Sequence, residues 1–497
     1  MSNNKNPHKD KAITTRDEDY SQWYLDVIRA ADMAENSPVR GAMIIKPYGF
    51  SIWERIQRIL DDKIKETGHQ NAYFPLLIPK SFLSREADHV EGFAKECAVV
   101  THHRLKASPE GGVIVDPDAK LEEEYVIRPT SETIIHDSFS RWISSYRDLP
   151  MLINQWANVM RWEMRTRIFL RTSEFLWQEG HTAHATQDEA AEETAKMLEV
   201  YRVFAEEVMA MPVIAGEKSP SERFAGANKT FTIEAMMQDG KALQSGTSHE
   251  LGQGFSKAFN ITFLDQESKE QYAWLTSWGV STRLMGALIM SHSDDRGLIV
   301  PPALAPTQVV IIPIIKEGKD NSEVFTHVDL IKSECAQNGI RVHIDDRDHF
   351  TFGEKSYEWE KKGVPVRIEI GPRDLENHSV TLVSRTADDK QQVSIDSIAD
   401  SISQALVDIQ ATLYNNAQER LTSRTFVLEN YNEFKEKIEA GGFFSLSWCG
   451  EAKCEDQIKD ETKATIRCIP FEQNTPATNC ILCDQPAKQR AIFARAY

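Results

Sequence analysis

The sequence has little cysteine, fewer basic than acidic residues, and no long hydrophobic run. Seven cysteines among 497 residues are too few for a fold held together by disulfides. The chain holds 57 Lys and Arg against 75 Asp and Glu, a net charge of −18, which disfavours a protein that coats DNA or a membrane surface. A nucleic-acid partner that binds through local basic patches stays open.

The hydrophobic runs are short. None approaches the roughly 18 apolar residues of a membrane span, and the longest, residues 309–315, contains Pro313. The opening MSNNKNPHKDK carries charges and lacks the apolar segment of a secretory signal. We therefore expect a cytoplasmic protein without membrane contact.

The length of the chain indicates two to four domains, because 497 residues are too many for a single hydrophobic core. Apolar residues recur at helical spacing over residues 48–67, and Gly68 follows as a stop signal. Residues 72–79 are then predicted to form a buried strand, which Pro75 places at a sheet edge or a bulge.

A second helix begins at the capping box of Thr186 and Glu189 and ends at Pro212. The segment between the two helices lacks regular strand–helix alternation, which argues against a Rossmann-type sheet. Its predicted antiparallel strands are residues 152–157, 162–163 and 173–177.

Three prolines, Pro301, Pro302 and Pro306, mark a domain boundary. Beyond them strand and helix patterns alternate, which suggests a small α/β domain of roughly a hundred residues. Its predicted elements are strands at residues 309–315, 341–345, 366–370 and 380–383 and a helix at residues 323–338. A helical stretch at residues 398–413 leads into the last segment.

Four of the seven cysteines lie in that last segment. Cys449 and Cys454 form a C-x4-C pair, and Cys480 and Cys483 form a C-x2-C pair. Two close pairs separated by a loop suit a tetrahedral zinc site with a structural role. The alternatives are four unrelated core cysteines or, less favoured in a reducing compartment, a disulfide pair.

Residues 161–181, RWEMRTRIFLRTSEFLWQEGH, concentrate positive charge in an acidic chain. Arg161 and Glu163 are two residues apart, so on a strand both would face the same side. Guanidinium groups match phosphate oxygens, which makes four arginines candidate nucleotide ligands: Arg161, Arg165, Arg167 and Arg171. The alternative is a solvated charged strand and loop, the usual state of arginines taken alone.

The wider pattern resembles the class II aminoacyl-tRNA synthetases, and closely the prolyl-tRNA synthetase family of the archaeal and eukaryotic-like type. The helix and strand that end in FPLLIP resemble motif 1, residues 161–181 resemble motif 2, and residues 276–302 resemble motif 3. RPTSE at residues 128–132 is similar to the family's amino-acid loop, and QSGTSHELGQGFSKAF is a further family-like stretch. GEKSYEWEKKGVPVRIEIGPRDL resembles the anticodon-binding domain. The resemblance covers nearly all of residues 18–497.

The resemblance implies that ATP-dependent attachment of L-proline to tRNA(Pro) proceeds through prolyl-adenylate with release of pyrophosphate. Arg161, the candidate catalytic residue, would bridge the proline carboxylate and the α-phosphate. Glu163 would accept from the adenine amine, and Phe175 would stack on the ring. The implied ATP-binding residues are Arg161, Glu163, Arg171, Thr172, Phe175, Gln244, Thr247, Ser281 and Arg283. ATP is a substrate here, with Mg²⁺ and a structural Zn²⁺ as the implied metals.

The implied substrate-binding residues surround the ring nitrogen and the ring of proline. Glu132 is the anion that a protonated secondary amine needs, and Trp177, with Phe82 or another apolar side chain, would shape a ring-sized pocket. The full set is Thr130, Glu132, Arg161, Trp177, Glu179, His181 and His249. Taken singly, His249, Thr130 and Trp177 are more often a structural histidine, a cap residue and core packing.

The implied fold has three parts after a disordered tail. They are an α+β catalytic domain with a six- or seven-stranded, mostly antiparallel sheet, an α/β anticodon-binding domain and a small α+β zinc-bearing domain. The predicted bounds are residues 1–17 for the tail and 18–303, 304–408 and 409–497 for the domains. A homodimer through the motif 1 helix and strand is also implied.

The resemblance further concerns tRNA and editing. Residues 345–373 mix basic and acidic side chains with Tyr357 and Trp359, so some of them are expected to read the anticodon, although a solvated α/β surface is the alternative. Many bacterial members carry a large editing domain between motifs 2 and 3. About a hundred residues between Glu179 and Gly279 leave no room for one.

Two other functions compete with this interpretation. A synthetase-like regulatory protein with lost chemistry is disfavoured because Arg161, Glu163 and Arg283 are present. A sister synthetase for threonine or glycine is disfavoured by the RPTSE and WQEGH stretches. The FARAY ending implies that the carboxylate of Tyr497 approaches the active site; a merely packed tail is the alternative.

Overall fold

The computed structural model describes residues 12–84, 97–315, 318, 320–387 and 389–497. Up to residue 302 its strands are β1 Ala34–Asn36, β2 Met43–Ile45, β3 Gln70–Asn71, β4 Leu77–Pro79, β5 Val99–His102, β6 Leu105–Ala107, β7 Val113–Val115, β8 Lys120–Ile127, β9 Met151–Met160, β10 Glu174–His184, β11 Val213–Glu217, β12 Lys229–Met236, β13 Ala242–Gly252, β14 Thr262–Leu264, β15 Glu270–Tyr272 and β16 Trp274–Ser281. The α-helices of this part are Tyr20–Ala30, Pro47–Glu66, Lys80–Ser84, Glu132–Trp142, Gln187–Val203, Gly254–Phe259 and Arg283–His292.

Both helices predicted from periodicity are confirmed. The helix Pro47–Glu66 begins at a proline, which suits the first helical position, and buries its apolar stripe in the largest hydrophobic core. The backbone then turns at Gly68 with φ of +93°. The helix Gln187–Val203 has the predicted capping box between Thr186 and Glu189. It continues as a short π-helix, Phe204–Val208, before Pro212.

A mostly antiparallel sheet forms the centre of this part. Within the described residues its strand order is β11-β12-β13-β16-β10-β9-β3, and β3 alone in that series is parallel to its neighbour. The predicted six- or seven-stranded class II sheet is therefore confirmed. A smaller sheet, β4-β8-β5, lies beside it.

The single strand predicted for residues 72–79 is wrong. The chain forms β3 before Pro75 and β4 after it, and the residues between them have other backbone partners. The N–H of Phe74 donates to Gln155 Oε1 at 2.6 Å, and its carbonyl accepts from Arg128 Nη1 at 2.7 Å. These two side chains satisfy the backbone N–H and carbonyl groups of Phe74, so this segment needs no neighbouring strand.

The second part matches the predicted alternation of strand and helix. Its strands are β17 Val309–Pro313, β18 Val342–Ile344, β19 Val366–Ile370, β20 Ser379–Ser384 and β21 Lys390–Ser394. They form the sheet β18-β17-β19-β20-β21, in which β17 is parallel to both of its neighbours. The helices are Ser322–Gln337, Phe352–Lys361 and Pro372–Glu376.

The C-terminal part shares its sheet with the first part. Its strands are β22 Thr425–Leu428, β23 Phe443–Trp448, β24 Thr465–Pro470 and β25 Gln489–Ala494, with helices Tyr431–Lys437 and Ala452–Thr462. The order β22-β23-β25-β24 continues into β11, so eleven strands of the described chain form one sheet. We call residues 425–497 the C-terminal unit.

The structure disagrees with two of the predicted domain boundaries, the one after residue 408 and the one after residue 17. The bound between residues 408 and 409 falls inside the continuous helix Ile398–Ser423, which packs on the α/β core through Ile409 and Leu413. Residues 1–11 of the predicted tail lie outside the described residues. Residues 12–17 are held in place, because Thr14 N–H donates to Asp26 at 3.0 Å and Ile13 packs on the main core.

None of the helices in the described ranges combines the length and the hydrophobicity that crossing a membrane requires.

Candidate active site

A cavity of about 310 Å³ lies on one face of the large sheet. Its floor comes from alternate residues of three neighbouring strands, because side chains of a strand point to one face at every second position. The strand registers align them in rows: His181 with Ser277 and His249, and Glu179 with Gly279 and Thr247. Trp177 lies opposite Ser281 at the end of β16.

Twelve of the fifteen residues predicted for ATP and substrate line this cavity. They are Thr130, Glu132, Arg161, Phe175, Trp177, Glu179, His181, Gln244, Thr247, His249, Ser281 and Arg283. Glu163, Arg171 and Thr172 are not among the lining residues. Phe82, which was predicted as a possible apolar wall, is not a lining residue, whereas the apolar side chain of Phe224 is.

One end of the cavity is rich in carboxylates and histidines, and we call it the acidic end: Thr130, Glu132, Glu179, His181 and His249. Glu132 and Glu179 are 3% and 2% exposed. Glu179 accepts from Gln155 Nε2 at 2.8 Å and contacts His181 Nε2 at 3.0 Å, and the Thr130 hydroxyl donates to Glu132. Buried carboxylates need such partners.

His249 is a neutral imidazole at the acidic end. Burial lowers its pKa to about 4, with Glu132 opposing and His181 adding to the shift. Its Nδ1 lies 3.0 Å from Thr230 Oγ1, which already accepts from Phe224 N–H. Whether the Thr230 hydroxyl donates to Nδ1 or accepts from it depends on the tautomer of His249.

Arg161 and Arg283 also line the cavity, and we call the part that they line the cationic end. Arg161 Nε donates to Pro129 O at 2.9 Å, and Arg283 Nε lies 3.3 Å from Leu170 O. Burial lowers the pKa of Arg161 to about 10, with Glu132 opposing and Arg283 adding to the shift, so the group stays protonated at neutral pH. Its guanidinium lies 5.5 and 5.6 Å from the ring centres of Phe175 and Trp177.

The predicted strand that would place Arg161 and Glu163 on one face is wrong. Strand β9 ends at Met160, and residues 161–173 form a loop. Within it Glu163 accepts from the N–H of Arg165 at 2.8 Å and from Arg171. Burial would raise the pKa of Glu163, but these hydrogen bonds lower it overall.

The other predicted residues of this loop also point away from the cavity. Thr172 Oγ1 donates to Glu174 O at 2.7 Å. Arg167 lies over the rings of Tyr24 and Tyr497, at 4.8 and 5.3 Å from their centres. The Tyr497 hydroxyl donates to Asp239 at 2.6 Å. Charge density in the sequence thus predicted the segment, and the fold places Arg161, but not Arg165, Arg167 or Arg171, in the lining of the cavity.

Some lining residues had not been predicted. They are Glu222, Arg223, Phe224, Thr230, Ser245, Gly246, Ser277, Trp278, Gly279, Val280 and Leu284. Ser277 could have been found, because it alternates with Ser281 on one strand. Phe224 carries no such signal, since it lies in an irregular connection.

The four cysteines of the C-terminal unit come together as predicted from their spacing. The sulfur atoms of Cys449, Cys454, Cys480 and Cys483 all lie within 4.8 Å of one another, and Cys449 and Cys483 are 3.8 Å apart. Four thiolates about 2.3 Å from one zinc ion would be roughly 3.8 Å apart. The cluster could therefore hold zinc.

The cysteines differ in acidity. Burial would raise the pKa of Cys480, but the backbone N–H groups of Cys483 and Leu482 lower it to about 7. Burial raises the pKa of Cys449 and Cys454. The Cys480 thiol thus loses its proton more readily than those of Cys449 and Cys454, which a bound cation would help to deprotonate.

Comparison with known proteins agrees across the chain. A family model described as tRNA synthetase class II core domain (G, H, P, S and T) matches residues 115–292, the anticodon binding domain matches residues 308–405, and Prolyl-tRNA synthetase, C-terminal, matches residues 431–497. Proteins named Proline--tRNA ligase from Porphyromonas gingivalis and Bacteroides fragilis are each 59% identical, covering 98% of this chain and 99% of theirs.

Solved structures agree as well. The prolyl-tRNA synthetase of Cryptosporidium parvum, complexed with L-proline and AMP, superposes with a TM-score of 0.90 at 37% identity, covering 98% of this chain and 97% of that one. A complex of the same enzyme with halofuginone and AMPPNP gives a TM-score of 0.91 at 38% identity. Full-length identity, matched domains and a matching fold together place this chain in the prolyl-tRNA synthetase family of class II aminoacyl-tRNA synthetases.

Proposed function

We propose that this chain attaches L-proline to tRNA(Pro) in two steps, forming prolyl-adenylate from proline and ATP with release of pyrophosphate and then transferring the prolyl group to the 3′ end of the tRNA. The observation that carries the proposal is that buried carboxylates and two arginines line one cavity. A buried carboxylate suits an ammonium group, while two half-buried arginines suit a carboxylate and a phosphate. The relatives' names and the proline and AMP complex support the same reaction.

In our proposal the proline ring nitrogen lies at the acidic end. Glu132 neutralises the secondary ammonium, with Thr130 and His249 as hydrogen-bond partners. Neutral His249 adds no positive charge against that ammonium. Phe224, stacked on His249 at 4.4 Å between ring centres, and Trp177 enclose the ring. Glu179 and His181 hold the floor beneath it.

ATP lies toward the cationic end in this proposal. Arg161 bridges the carboxylate oxygen and the α-phosphate, and it stabilises the charge that develops as the oxygen attacks phosphorus and pyrophosphate leaves. No protein nucleophile is needed, since positioning and charge stabilisation drive the step. Mg²⁺, typical of the family, would neutralise the outer phosphates when bound with ATP.

The remaining ATP contacts divide into two groups. Phe175, Gln244, Thr247, Ser281 and Arg283 line the cavity and can reach a nucleotide. Glu163, Arg171 and Thr172 lie outside it, so we propose that they reach ATP only after the Arg171–Glu163 ion pair opens. That pair is partly exposed and therefore costs little to break.

We propose that the α/β unit reads the anticodon, as its family match suggests. Two basic residues within residues 345–373 are engaged elsewhere: Lys355 is 4% exposed and donates to Asp345 O at 3.1 Å, and Arg367 pairs with Glu369 at 3.0 Å. Tyr357, 52% exposed, and exposed Arg373 are better placed for stacking and hydrogen bonding to splayed bases.

Three further features belong to the proposal. The cysteine cluster binds a structural zinc. The chain has no editing activity in cis, because the residues between Glu179 and Gly279 belong to elements of the catalytic part, β10 to β16 with the helices Gln187–Val203 and Gly254–Phe259. The cytoplasmic location stays a prediction.

Proline-dependent exchange of pyrophosphate into ATP, measured beside threonine, glycine and cysteine, tests the activity. We expect exchange with proline and little with threonine or glycine. Arg161→Ala should reduce it by orders of magnitude, since charge in the transition state loses its partner. Glu132→Gln should raise the KM for proline far more than that for ATP. Near-normal exchange by Arg161→Ala, or exchange that prefers threonine, would contradict the proposal.

A further inference from the structure

One wall of the cavity comes from the first part of the connection between β11 and β12, residues 218–224, which we call the wall segment. Glu222, Arg223 and Phe224 line the cavity. The N–H of Phe224 donates to Thr230 Oγ1 at 3.0 Å, the same hydroxyl that contacts His249. A shift of the wall segment would therefore have two effects at once. It would move the Phe224 ring that stacks on His249, and it would disturb the hydrogen bond between Thr230 and His249.

The other side of the wall segment contacts the C-terminal unit. Ser219 Oγ donates to Glu455 Oε1 at 2.6 Å across 236 positions of sequence. Ser219 is fully buried and Glu455 is 2% exposed. A hydrogen bond to a buried carboxylate is among the stronger ones in proteins, and it is costly to leave unmade.

The contacts around this bond differ in strength. Lys459, on the same helix as Glu455, lies 3.5 Å from Glu222, but both side chains are partly exposed, so that pair contributes little. At the start of the wall segment Lys218 donates to Glu234 at 2.7 Å, and Glu234 also pairs with Arg467 of β24 at 3.0 Å.

The strands leading into the wall segment are joined too. Glu217, the residue just before it, pairs with Ile469 of β24 in the ladder between β11 and β24. The start of the segment is thus fixed by backbone pairing and a buried ion cluster. Its middle, which turns through Pro220–Glu222, is fixed by Ser219 and Glu455.

We propose that Glu455 is a positioning residue for the amino-acid pocket: by holding Ser219, the C-terminal unit sets the wall that Phe224 presents to proline. Glu455 touches no substrate and acts through the wall segment alone. The inference rests on the proposed function, because it takes this cavity as the proline site. It predicts that a carboxylate outside the catalytic part controls affinity for the amino acid and not for ATP.

Glu455→Ala in the full chain tests this by steady-state pyrophosphate exchange. We expect the KM for proline to rise about tenfold, the order expected for one lost hydrogen bond to a charged group, while kcat and the KM for ATP stay within about twofold. Glu455→Gln keeps an acceptor for the Ser219 hydroxyl and should restore most of the affinity. Hydrogen–deuterium exchange over the wall segment should be faster in Glu455→Ala than in the unaltered chain.

Two further variants separate positioning from general damage. Ser219→Ala, on the catalytic side, should give a similar rise, and the double variant should be no worse than either single one. Asp456→Ala removes an exposed carboxylate from the same helix and should change nothing. Ser219→Ala decides the question if Glu455→Ala does not fold.

The inference would be overturned by an unchanged KM for proline in Ser219→Ala or in folded Glu455→Ala, or by a joint change of kcat and both KM values. Absence of proline-dependent exchange in the unaltered chain would instead refute the proposed function, so the two failures are distinguishable.

Discussion

At the scale of residues, the cavity holds two charged arginines, Arg161 and Arg283, that are partly shielded from water. Burial lowers the pKa of both Arg161 and Arg283, so each is stabilised by an anion that enters beside it. Their Nε atoms bond to backbone carbonyls, which orients both groups before a ligand arrives. Such prior orientation is what transition-state stabilisation requires.

His249 gives a prediction for pH. A histidine of ordinary pKa near 6.5 would gain charge as pH falls through that value and would repel the ammonium of proline. With a pKa lowered to about 4 by burial, His249 stays neutral well below it. The dissociation constant for proline, measured calorimetrically, should therefore change less than about twofold from pH 8 to pH 5.5.

The matched control is His249→Asn, which should weaken binding at every pH and leave the profile flat. A loss of affinity centred near pH 6.5 that disappears in His249→Asn would show that His249 titrates normally.

At the scale of elements, alternation along β10, β13 and β16 builds the floor, and register places the rows opposite one another. Irregular segments complete the site: the loop after β9 supplies Arg161, and the wall segment supplies Phe224. Strand β24 of the C-terminal unit supports the wall segment, although it lies outside residues 115–292, which match the class II core domain.

Gly216 provides a test of the junction between β11 and β24. A Cβ at this position would lie 2.3 Å from the carbonyl oxygen of Ile469, which is backbone and cannot rotate away. Gly216→Ala should therefore destabilise the chain by about 1–3 kcal/mol, as overpacking does, and lower the midpoint of thermal unfolding. Gly353→Ala, where a Cβ would meet nothing within 4 Å, is the control and should not lower it. Equal midpoints for the two variants would contradict the close approach.

The cysteine cluster gives a prediction about metal. Elemental analysis after purification without chelator should find about one zinc per chain. Cys480→Ser should reduce this content and lower the unfolding midpoint, because a bound metal stabilises the folded state. Cys97→Ser, a half-buried cysteine outside the cluster, should leave the zinc content unchanged. Less than about half a zinc per chain in the unaltered protein would count against the site.

At the scale of the molecule, the catalytic part and the C-terminal unit share one sheet, while the α/β unit keeps its own core. The long helix Ile398–Ser423 connects them. Large apolar side chains remain exposed around the smaller sheet, with Tyr73, Leu77 and Val99 at 74%, 38% and 47%. Exposed apolar side chains close together indicate a contact surface, and these follow the motif 1 helix.

Sedimentation velocity tests the homodimer through this surface. The unaltered chain should sediment as a dimer, and Leu77→Asp should shift it toward monomer because a charge would be buried without a partner. Val407→Asp changes a 62% exposed residue of the long helix and should leave the dimer intact. A monomeric unaltered chain, or a dimer insensitive to Leu77→Asp, would contradict the prediction.

Much of the fold followed from local patterns. The helix from Pro47, the capping box at Thr186 and the alternating α/β unit were predicted because each depends on neighbouring residues. The predicted strand through Pro75 and that through Glu163 were wrong, because side chains bond to those segments instead: Gln155, 81 positions from Phe74, and Arg171, eight positions from Glu163. The periodicity of apolar residues along a segment does not reveal which side chains from other segments will bond to it.

The sequence by itself determined the order of the motifs, the cysteine pairs and, through the family resemblance, twelve of the residues that line the cavity, because the spacing and order of motifs are properties of the sequence alone. Only the tertiary structure decided which of four clustered arginines enters the cavity, that Phe224 forms its wall, and that Glu455 reaches that wall from the C-terminal unit. Those outcomes depend on contacts between segments far apart in the chain, and the pairing of β11 with β24 is what brings them together.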